Sequence, residues 1–287
     1  MKPLKGYIIW TLHKLSPVFQ LFYFFYLTSG CFIINFETYL ILEECYSTRY
    51  RRYSCLFLFI SGALSFFSCS LSDPGRITHT SLEKHLQYYS YDEIIFHQNS
   101  QCKTCRMLKP ARSKHCKYCM SCISRYDHHC FLLNNCVGGY NNIYFFVFIH
   151  VNILITLYSS YITSLCIYSI IKYKKLLQAT FIHKESNTIL PDSYITISWY
   201  LFSKYSPTFS LLLVSLFSLI SLVLLLIREM YFSFCFNITN NEKTKYRKLK
   251  ERYPYVNFNF YNKGFLKNVK DALFYKKNVE EFFKKKT

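Results

Sequence analysis

Four long runs of the chain, residues 15–36, 53–72, 143–171 and 205–227, carry no charged side chain. Roughly 20 apolar residues wound into a helix span a bilayer core, and all four runs reach that length. Between and after them the pattern changes. Residues 73–142 are polar and crowded with cysteine and histidine, and the sequence beyond residue 227 is basic and aromatic. The pattern predicts a membrane all-α protein: four transmembrane helices, with a cysteine-rich domain in the loop between helices 2 and 3. A soluble helical protein is excluded, because too little polar sequence remains to wrap four such helices.

The predicted organisation is a basic N-terminal segment with helices 1 and 2 (1–72), a loop holding the cysteine-rich domain (73–142, core 102–142), helices 3 and 4 (143–227) and a C-terminal tail (228–287). The first run follows Lys2, Lys5 and Lys14. At 22 residues it exceeds the apolar stretch of a cleaved signal and shows no small-x-small cleavage site, so it is expected to be a retained helix. Asp73-Pro74-Gly75 follows the second run. Read locally it is a helix stop, because proline interrupts a helix and glycine permits a tight turn.

Composition sharpens this picture: 51% of the 287 residues are hydrophobic, 20% are aromatic and the formal net charge is +19. The charge is unevenly placed. Four spans put the N-terminus, the 73–142 loop and the C-terminal tail on one side, and these hold 27 of the 35 Lys and Arg residues. The basic side is expected to be cytosolic. Attraction to anionic lipid headgroups follows, whereas nucleic-acid binding is not indicated, since the basic residues adjoin membrane helices.

A cytosolic loop keeps its thiols reduced, so its cysteines read as metal ligands and catalysts rather than disulfides. Cys31, Cys45, Cys55, Cys69, Cys166 and Cys235, in or near the helices, read as inert. Asn237-Ile238-Thr239 matches a glycosylation acceptor but falls on the cytosolic side and is discounted. Ten metal-capable side chains lie within residues 102–136: Cys102, Cys105, His115, Cys116, Cys119, Cys122, His128, His129, Cys130 and Cys136. A structural zinc site takes four such donors. Two sites would consume eight and leave two. Cys102-x2-Cys105 and Cys116-x2-Cys119 are zinc knuckles, and spacing alone allows either sequential or interleaved sites.

The run Asp127-His128-His129-Cys130 suggests which donors are spare. A thiol two positions from an imidazole, beside a carboxylate, supplies a nucleophile, a base and an orienting acid. In the alternative, His128 ligates zinc and Cys130 is a structural thiol, and the chain is a membrane-anchored zinc module that binds partners without catalysis. A metal transporter is disfavoured, because its ligands belong inside helices near the midplane.

From Cys102 to Phe145 the chain reads C-x2-C-x9-H-C-x2-C-x2-C-x4-D-H-H-C-x5-C-x4-N-x3-F. This resembles the cysteine-rich domain of the DHHC protein S-acyltransferases (palmitoyltransferases). Asp73-Pro74-Gly75 resembles that family's Asp-Pro-Gly motif, Thr239-Asn240-Asn241-Glu242 its Thr-Thr-x-Glu motif, and Asn259-x-Tyr261-x2-Gly264-x3-Asn268 its C-terminal motif. The resemblance implies two structural zinc ions, one on Cys102, Cys105, His115 and Cys122, the other on Cys116, Cys119, His129 and Cys136. It leaves Cys130, His128 and Asp127 for catalysis.

The implied activity is protein S-palmitoyl transfer. Palmitoyl-CoA, or another fatty acyl-CoA, is the donor, and an S-acyl Cys130 is the intermediate. Cytosolic cysteines of membrane-associated proteins are the acceptors. The setting is an endomembrane, Golgi or endoplasmic reticulum rather than plasma membrane. Arg106, Lys109, Arg112, Lys114 and Lys117 are candidates for the CoA phosphates. His150 and Asn152 are expected to face the helix-bundle interior, and chain-length preference is expected to depend on residues 155–161. The sequence departs from the family at Asn240, where the second Thr is usual, and at Phe131-Leu132-Leu133, where Pro-Trp-Val or similar is usual. Loss of the indole at Leu132 is expected to alter packing of the thioester.

Overall fold

The computed structural model describes residues 15–46, 53–182, 188–191, 193–252 and 260–285. Lys2, Lys5, Lys14, Arg49, Arg51, Arg52 and Asn259 lie outside them. In chain order the elements are α1 (Ser16–Ile33), a π-helical turn (Ile34–Thr38), α2 (Tyr39–Tyr46), α3 (Tyr53–Ser70) and α4 (Leu82–Tyr88). Six short strands follow: β1 (Gln101–Cys102), β2 (Met107–Leu108), β3 (Lys114–Cys116), β4 (Ser121–Ile123), β5 (His128–Cys130) and β6 (Asn135–Val137). Then come α5 (Asn142–Tyr173), α6 (Tyr194–Lys204), α7 (Ser206–Met230) with a π-helical turn (Tyr231–Cys235), α8 (Asn240–Arg252), α9 (Phe265–Leu273) and α10 (Tyr275–Lys284).

Among the described residues, four helical stretches are long and apolar enough to cross a membrane: Ser16–Tyr46, Tyr53–Ser70, Asn142–Tyr173 and Ser206–Cys235. The chain is a multi-pass membrane protein, with its cysteine-rich region between the second and third of them. The first and fourth continue beyond the charge-free runs, taking in Glu37, Glu43 and Glu44 at one end and Arg228 and Glu229 at the other. Helical hydrogen bonding does not stop where hydrophobicity does.

The chain divides into two compact units, one made of Met1–Tyr23, Leu64–Ile149 and Leu225–Thr287, the other of Phe24–Ala63 and His150–Leu224. The second unit packs Ile34, Leu42, Cys55, Ile162, Ile170, Ile197, Leu201 and Leu211 into an apolar core. Hydroxyl contacts join its helices: Thr38 to Thr208 at 3.2 Å, Ser160 to Ser215 at 3.1 Å, and Tyr158 to Ser54 at 2.6 Å. In a setting without water, such contacts satisfy groups that would otherwise be stranded. Ile155, Tyr158 and Ser159 line a small apolar cleft in this unit, with Tyr26, Leu27 and Leu211. Asn152 is buried as expected, but His150 is exposed. Residues two apart on a helix differ by about 200° in direction, so the two side chains do not share a face.

In the first unit the cysteine-rich region forms three antiparallel hairpins, β1–β2, β3–β4 and β5–β6. Asp73-Pro74-Gly75 does more than end α3. Asp73 Oδ1 accepts the backbone N–H groups of Gly75 and Arg76 at 3.0 Å each, and Ser124 N–H donates to Gly75 O at 2.9 Å, laying the segment along β4. Gly75 has φ +93°, and a Cβ there would lie 2.4 Å from Ser124 Oγ. Asn268 in α9 donates to Phe234 O at 3.0 Å, satisfying a carbonyl at the end of the fourth span.

At the centre of this unit Arg112 is fully buried. This corrects its assignment as a CoA-phosphate candidate. Nε and Nη2 bond the two Glu242 oxygens at 2.7 and 2.8 Å, Nη1 and Nη2 bond Asn237 Oδ1 and O at 3.1 and 2.6 Å, and the guanidinium lies over the rings of Tyr89 and Tyr261. Glu242 also closes a capping box at the start of α8: its carboxylate accepts Thr239 N–H at 2.9 Å, and Thr239 Oγ1 accepts Glu242 N–H at 3.3 Å. The Asn237 side chain is wholly buried in the same network, which removes it as a glycosylation acceptor.

Breaking a buried ion pair from one side costs about 3–5 kcal/mol. Arg112→Met is expected to lower the thermal stability of detergent-solubilised protein by that order. Arg112→Lys is expected not to restore it, because one ammonium does not reproduce the two parallel bonds to Glu242.

Candidate active site and metal centres

Each C-x2-C pair sits at a hairpin turn, Cys102 and Cys105 between β1 and β2, Cys116 and Cys119 between β3 and β4. The residue after each second cysteine is left-handed, Arg106 at φ 54° and Met120 at φ 50°. That conformation costs a non-glycine residue about 1–2 kcal/mol. It lets Arg106 N–H reach Cys102 O at 2.8 Å and Cys105 N–H face Cys102 Sγ at 3.4 Å, so both sulfurs converge on one point.

Side chains alternate between the two faces of a strand, and this alternation sorts the donors. His115 pairs directly with Cys122 across the β3–β4 hairpin, so both point the same way, while Cys116 points to the opposite face. The donors gather in two interleaved sets, Cys102, Cys105, His115 and Cys122, and Cys116, Cys119, His129 and Cys136, with all ligand atoms of a set within 4.8 Å. Cys105 Sγ lies 3.2 Å from His115 Nδ1 and 3.8 Å from Cys122 Sγ. Cys119 Sγ lies 3.5 Å from His129 Nδ1 and 3.4 Å from Cys136 Sγ. A tetrahedral ion with zinc's bond lengths places its donors about 3.5–3.8 Å apart, within about 0.4 Å of these separations. Both sets fit such an ion.

The same alternation acts in β5. His129 pairs with Cys136 and points into the second metal set, so His128 and Cys130 on either side of it point to the other face. There His128 Nδ1 is 2.6 Å from Asp127 Oδ2, and Cys130 shares the strand face of the imidazole. With Nδ1 committed to the carboxylate, Nε2 is the nitrogen left for sulfur. The Phe145 ring stands edge-on to the imidazole at 5.3 Å. Asp127 is held from α8, its Oδ1 accepting Asn240 N–H and its Oδ2 accepting Asn240 Nδ2–H, both at 2.7 Å.

These contacts set the charges. Burial pushes the Cys130 thiol up, but the hydrogen bond and charge of His128 and the backbone N–H groups of Leu133 and Leu132 outweigh it, and the net shift is downward. For His128, burial is opposed by the bonds and charges of Asp127 and Cys130, which carry it up to about 10. Burial also pushes Asp127 up, and the bonds from His128 and Asn240 bring it below the ordinary carboxylate value. The result is a thiolate, an imidazolium and a carboxylate in line. At Leu132 and Leu133 it is the backbone N–H groups that lower the Cys130 pKa, a contribution that does not depend on the side chain.

A cleft of about 350 Å³ opens beside this line, walled by Tyr126, Asp127, His128, Asn240 and Asn241 and rimmed by Lys114, Lys245 and Lys248. Of the five cations put forward from the sequence, only Lys114 lines it. Lys245 and Lys248 were missed because they belong to the tail, more than a hundred residues away in sequence; the alternation of lysine with other residues on an unrecognised helix was the available signal.

Cys130 is a thiolate above its lowered pKa, and the imidazolium persists to about 10, so the ion pair occupies the window between. An ordinary thiol loses about fifty-fold in thiolate from pH 8.5 to 6.5. Alkylation of Cys130 by iodoacetamide, followed by peptide mass spectrometry, is expected to slow less over that range than for an ordinary thiol, and His128→Ala to restore the steep profile.

A sequence model described as DHHC palmitoyltransferase matches residues 95–247. Among curated proteins, rat Palmitoyltransferase ZDHHC4 is 40% identical over 116 residues, which is 39% of this chain and 34% of that protein. Palmitoyltransferase SWF1 of Yarrowia lipolytica is 37% identical over 90 residues, 31% of this chain and 24% of that protein. Palmitoyltransferase swf1 of Schizosaccharomyces pombe is 40% identical over 86 residues, 30% and 24%. The matched stretch therefore spans about a third or less of each curated relative. The family match covers more than half of the sequence and contains both donor sets together with Asp127, His128, Cys130 and Asn240, and on that ground the chain belongs to the DHHC palmitoyltransferase family.

Proposed function

We propose that this protein is a protein S-acyltransferase that moves a fatty acyl group from acyl-CoA through Cys130 to cysteines of membrane-associated proteins. The observation that carries the reading is the placement of Cys130 and His128 on the strand face opposite His129, outside both donor sets. In the first step the Cys130 thiolate attacks the thioester carbonyl. A carbon–sulfur bond forms to Cys130, the bond to the CoA sulfur breaks, and the His128 imidazolium gives its proton to the departing thiolate. In the second step an acceptor thiol gives its proton to His128 and attacks the acyl carbon, and Cys130 leaves as thiolate. Asp127 holds the imidazole in one orientation and stabilises its charged form. Nucleophilic catalysis of this kind splits one transfer into two easier ones.

Lys114, Lys245 and Lys248 on the cleft rim are suited to the CoA phosphates. Each donor set would hold a structural zinc ion. Four protein donors leave no open position, so the metals fix the hairpins and take no part in the transfer. Orientation follows the charge: the basic loop and tail are cytosolic, where acyl-CoA and acceptor cysteines are found, and the membrane is an endomembrane, Golgi or endoplasmic reticulum.

Two experiments test this. Wild-type protein incubated with labelled palmitoyl-CoA is expected to take up hydroxylamine-sensitive label and Cys130→Ala to take up none; equal labelling of both would leave only a non-catalytic zinc module. Metal analysis is expected to find two zinc ions per chain in the wild type and in Cys130→Ser, and about one in Cys116→Ser. Loss of metal in Cys130→Ser would make that sulfur a ligand and end the proposal.

A further inference from the structure

The Asn240 amide faces two carboxylates. Nδ2 lies 2.7 Å from Asp127 Oδ2 and, on its other side, 3.2 and 3.0 Å from Glu229 Oε1 and Oε2. Ionised carboxylates only accept hydrogen bonds, so the amide orientation is fixed: turned over, its oxygen would face other acceptors. An amide has two N–H donors in one plane, and each has a separate partner here. A threonine at this position, as is usual in the family, brings one hydroxyl proton and reaches one carboxylate. The asparagine therefore carries an extra donor, and Glu229 takes it.

Glu229 is 5% exposed, projects from the last turn of α7 and pairs with the neighbouring Arg228. It touches neither donor set and neither Cys130 nor His128. Its carboxylate accepts hydrogen bonds from Arg228 and Asn240.

We infer that Glu229 is a positioning residue for acyl transfer: it locks the amide plane of Asn240, which aims Asp127 at His128 and so makes asparagine an effective replacement for threonine. The inference rests on the proposed acyltransferase activity. The chain of contacts runs Glu229, Asn240, Asp127, His128, Cys130, and only the last two members meet the reacting atoms. A chain of this kind predicts non-additivity, because removing Glu229 matters only while an amide stands at position 240.

The test is pre-steady-state acylation of Cys130 by palmitoyl-CoA in wild type, Glu229→Ala, Glu229→Gln, Asn240→Thr and the double variant Asn240→Thr/Glu229→Ala, with metal content measured for each. Glu229→Ala is expected to lower the acylation rate by on the order of tenfold with the concentration dependence on acyl-CoA unchanged. Glu229→Gln, whose amide oxygen can still accept the Asn240 N–H, is expected to keep at least about half the rate. The double variant is expected to match Asn240→Thr alone. If Glu229→Ala acylates like wild type, or loses as much on the threonine background as on the asparagine one, Glu229 plays no such part. Should Glu229→Ala lose its metal, the threonine background decides: equal rates with and without Glu229 uphold the inference, and a further loss overturns it. Wild-type protein that takes up no label would instead overturn the acyltransferase reading itself.

Discussion

The alternation of side chains along β5 is the constraint on which the rest depends. Three consecutive residues, His128, His129 and Cys130, divide between a donor set and the candidate catalytic line, and a strand is the backbone form that sends neighbours to opposite faces. A helix would turn them at about 100° steps and set His128 and Cys130 about 200° apart instead of on one face. The hairpin partner completes the sorting, since Cys136 opposite His129 supplies the same metal set while Asn135 opposite Cys130 donates to the carbonyls of Cys69, Ser70 and Ser72 at the end of α3. The donor set thus lies on one side of the strand, and the other side is left for the proposed chemistry.

A second constraint is electrostatic. Arg112 and Arg125 are both buried, and the anions that answer them, Glu242 and Asp271, come from the tail. Asn237 bridges the two guanidinium groups through one side-chain oxygen. Buried charges of this kind stand only while every partner is present, so the hairpins and the tail helices of this unit are held in one arrangement or not at all. The first turn of α8 gains most from this, because the same turn supplies Glu242 to Arg112 and Asn240 to Asp127.

Features set by local composition were legible in the sequence: the four spans, the two knuckles and the surplus of donors over two metal sites. What spacing left open was the pairing of donors, and the reason is physical. His115 and Cys116 are adjacent, and only a strand forces adjacent residues apart; three residues are too few to show a strand period. Features set by long-range pairing were not legible. Nothing near Arg112 marks it as buried, because its partner Glu242 lies 130 residues away. The tail's motifs at Thr239–Glu242 and Asn259–Asn268 were legible by resemblance, but the short helices α8, α9 and α10 were not, since their lysines mask inward positions such as Asp271, Tyr275 and Val279. His150 was misplaced by treating polarity as sufficient evidence of direction.

The capping box at Thr239 and Glu242 has a further meaning for how this protein is divided. A fragment ending after β6 would keep both donor sets and the proposed nucleophile, and by composition it would be counted as the whole centre. It would lack both hydrogen bonds from Asn240 to Asp127 and the carboxylate that neutralises Arg112. Asp127 would still face His128, but without the two bonds that hold its carboxylate from α8. The smallest working unit is accordingly discontinuous in sequence, two segments separated by most of the membrane-spanning chain and joined by the opening turn of one helix.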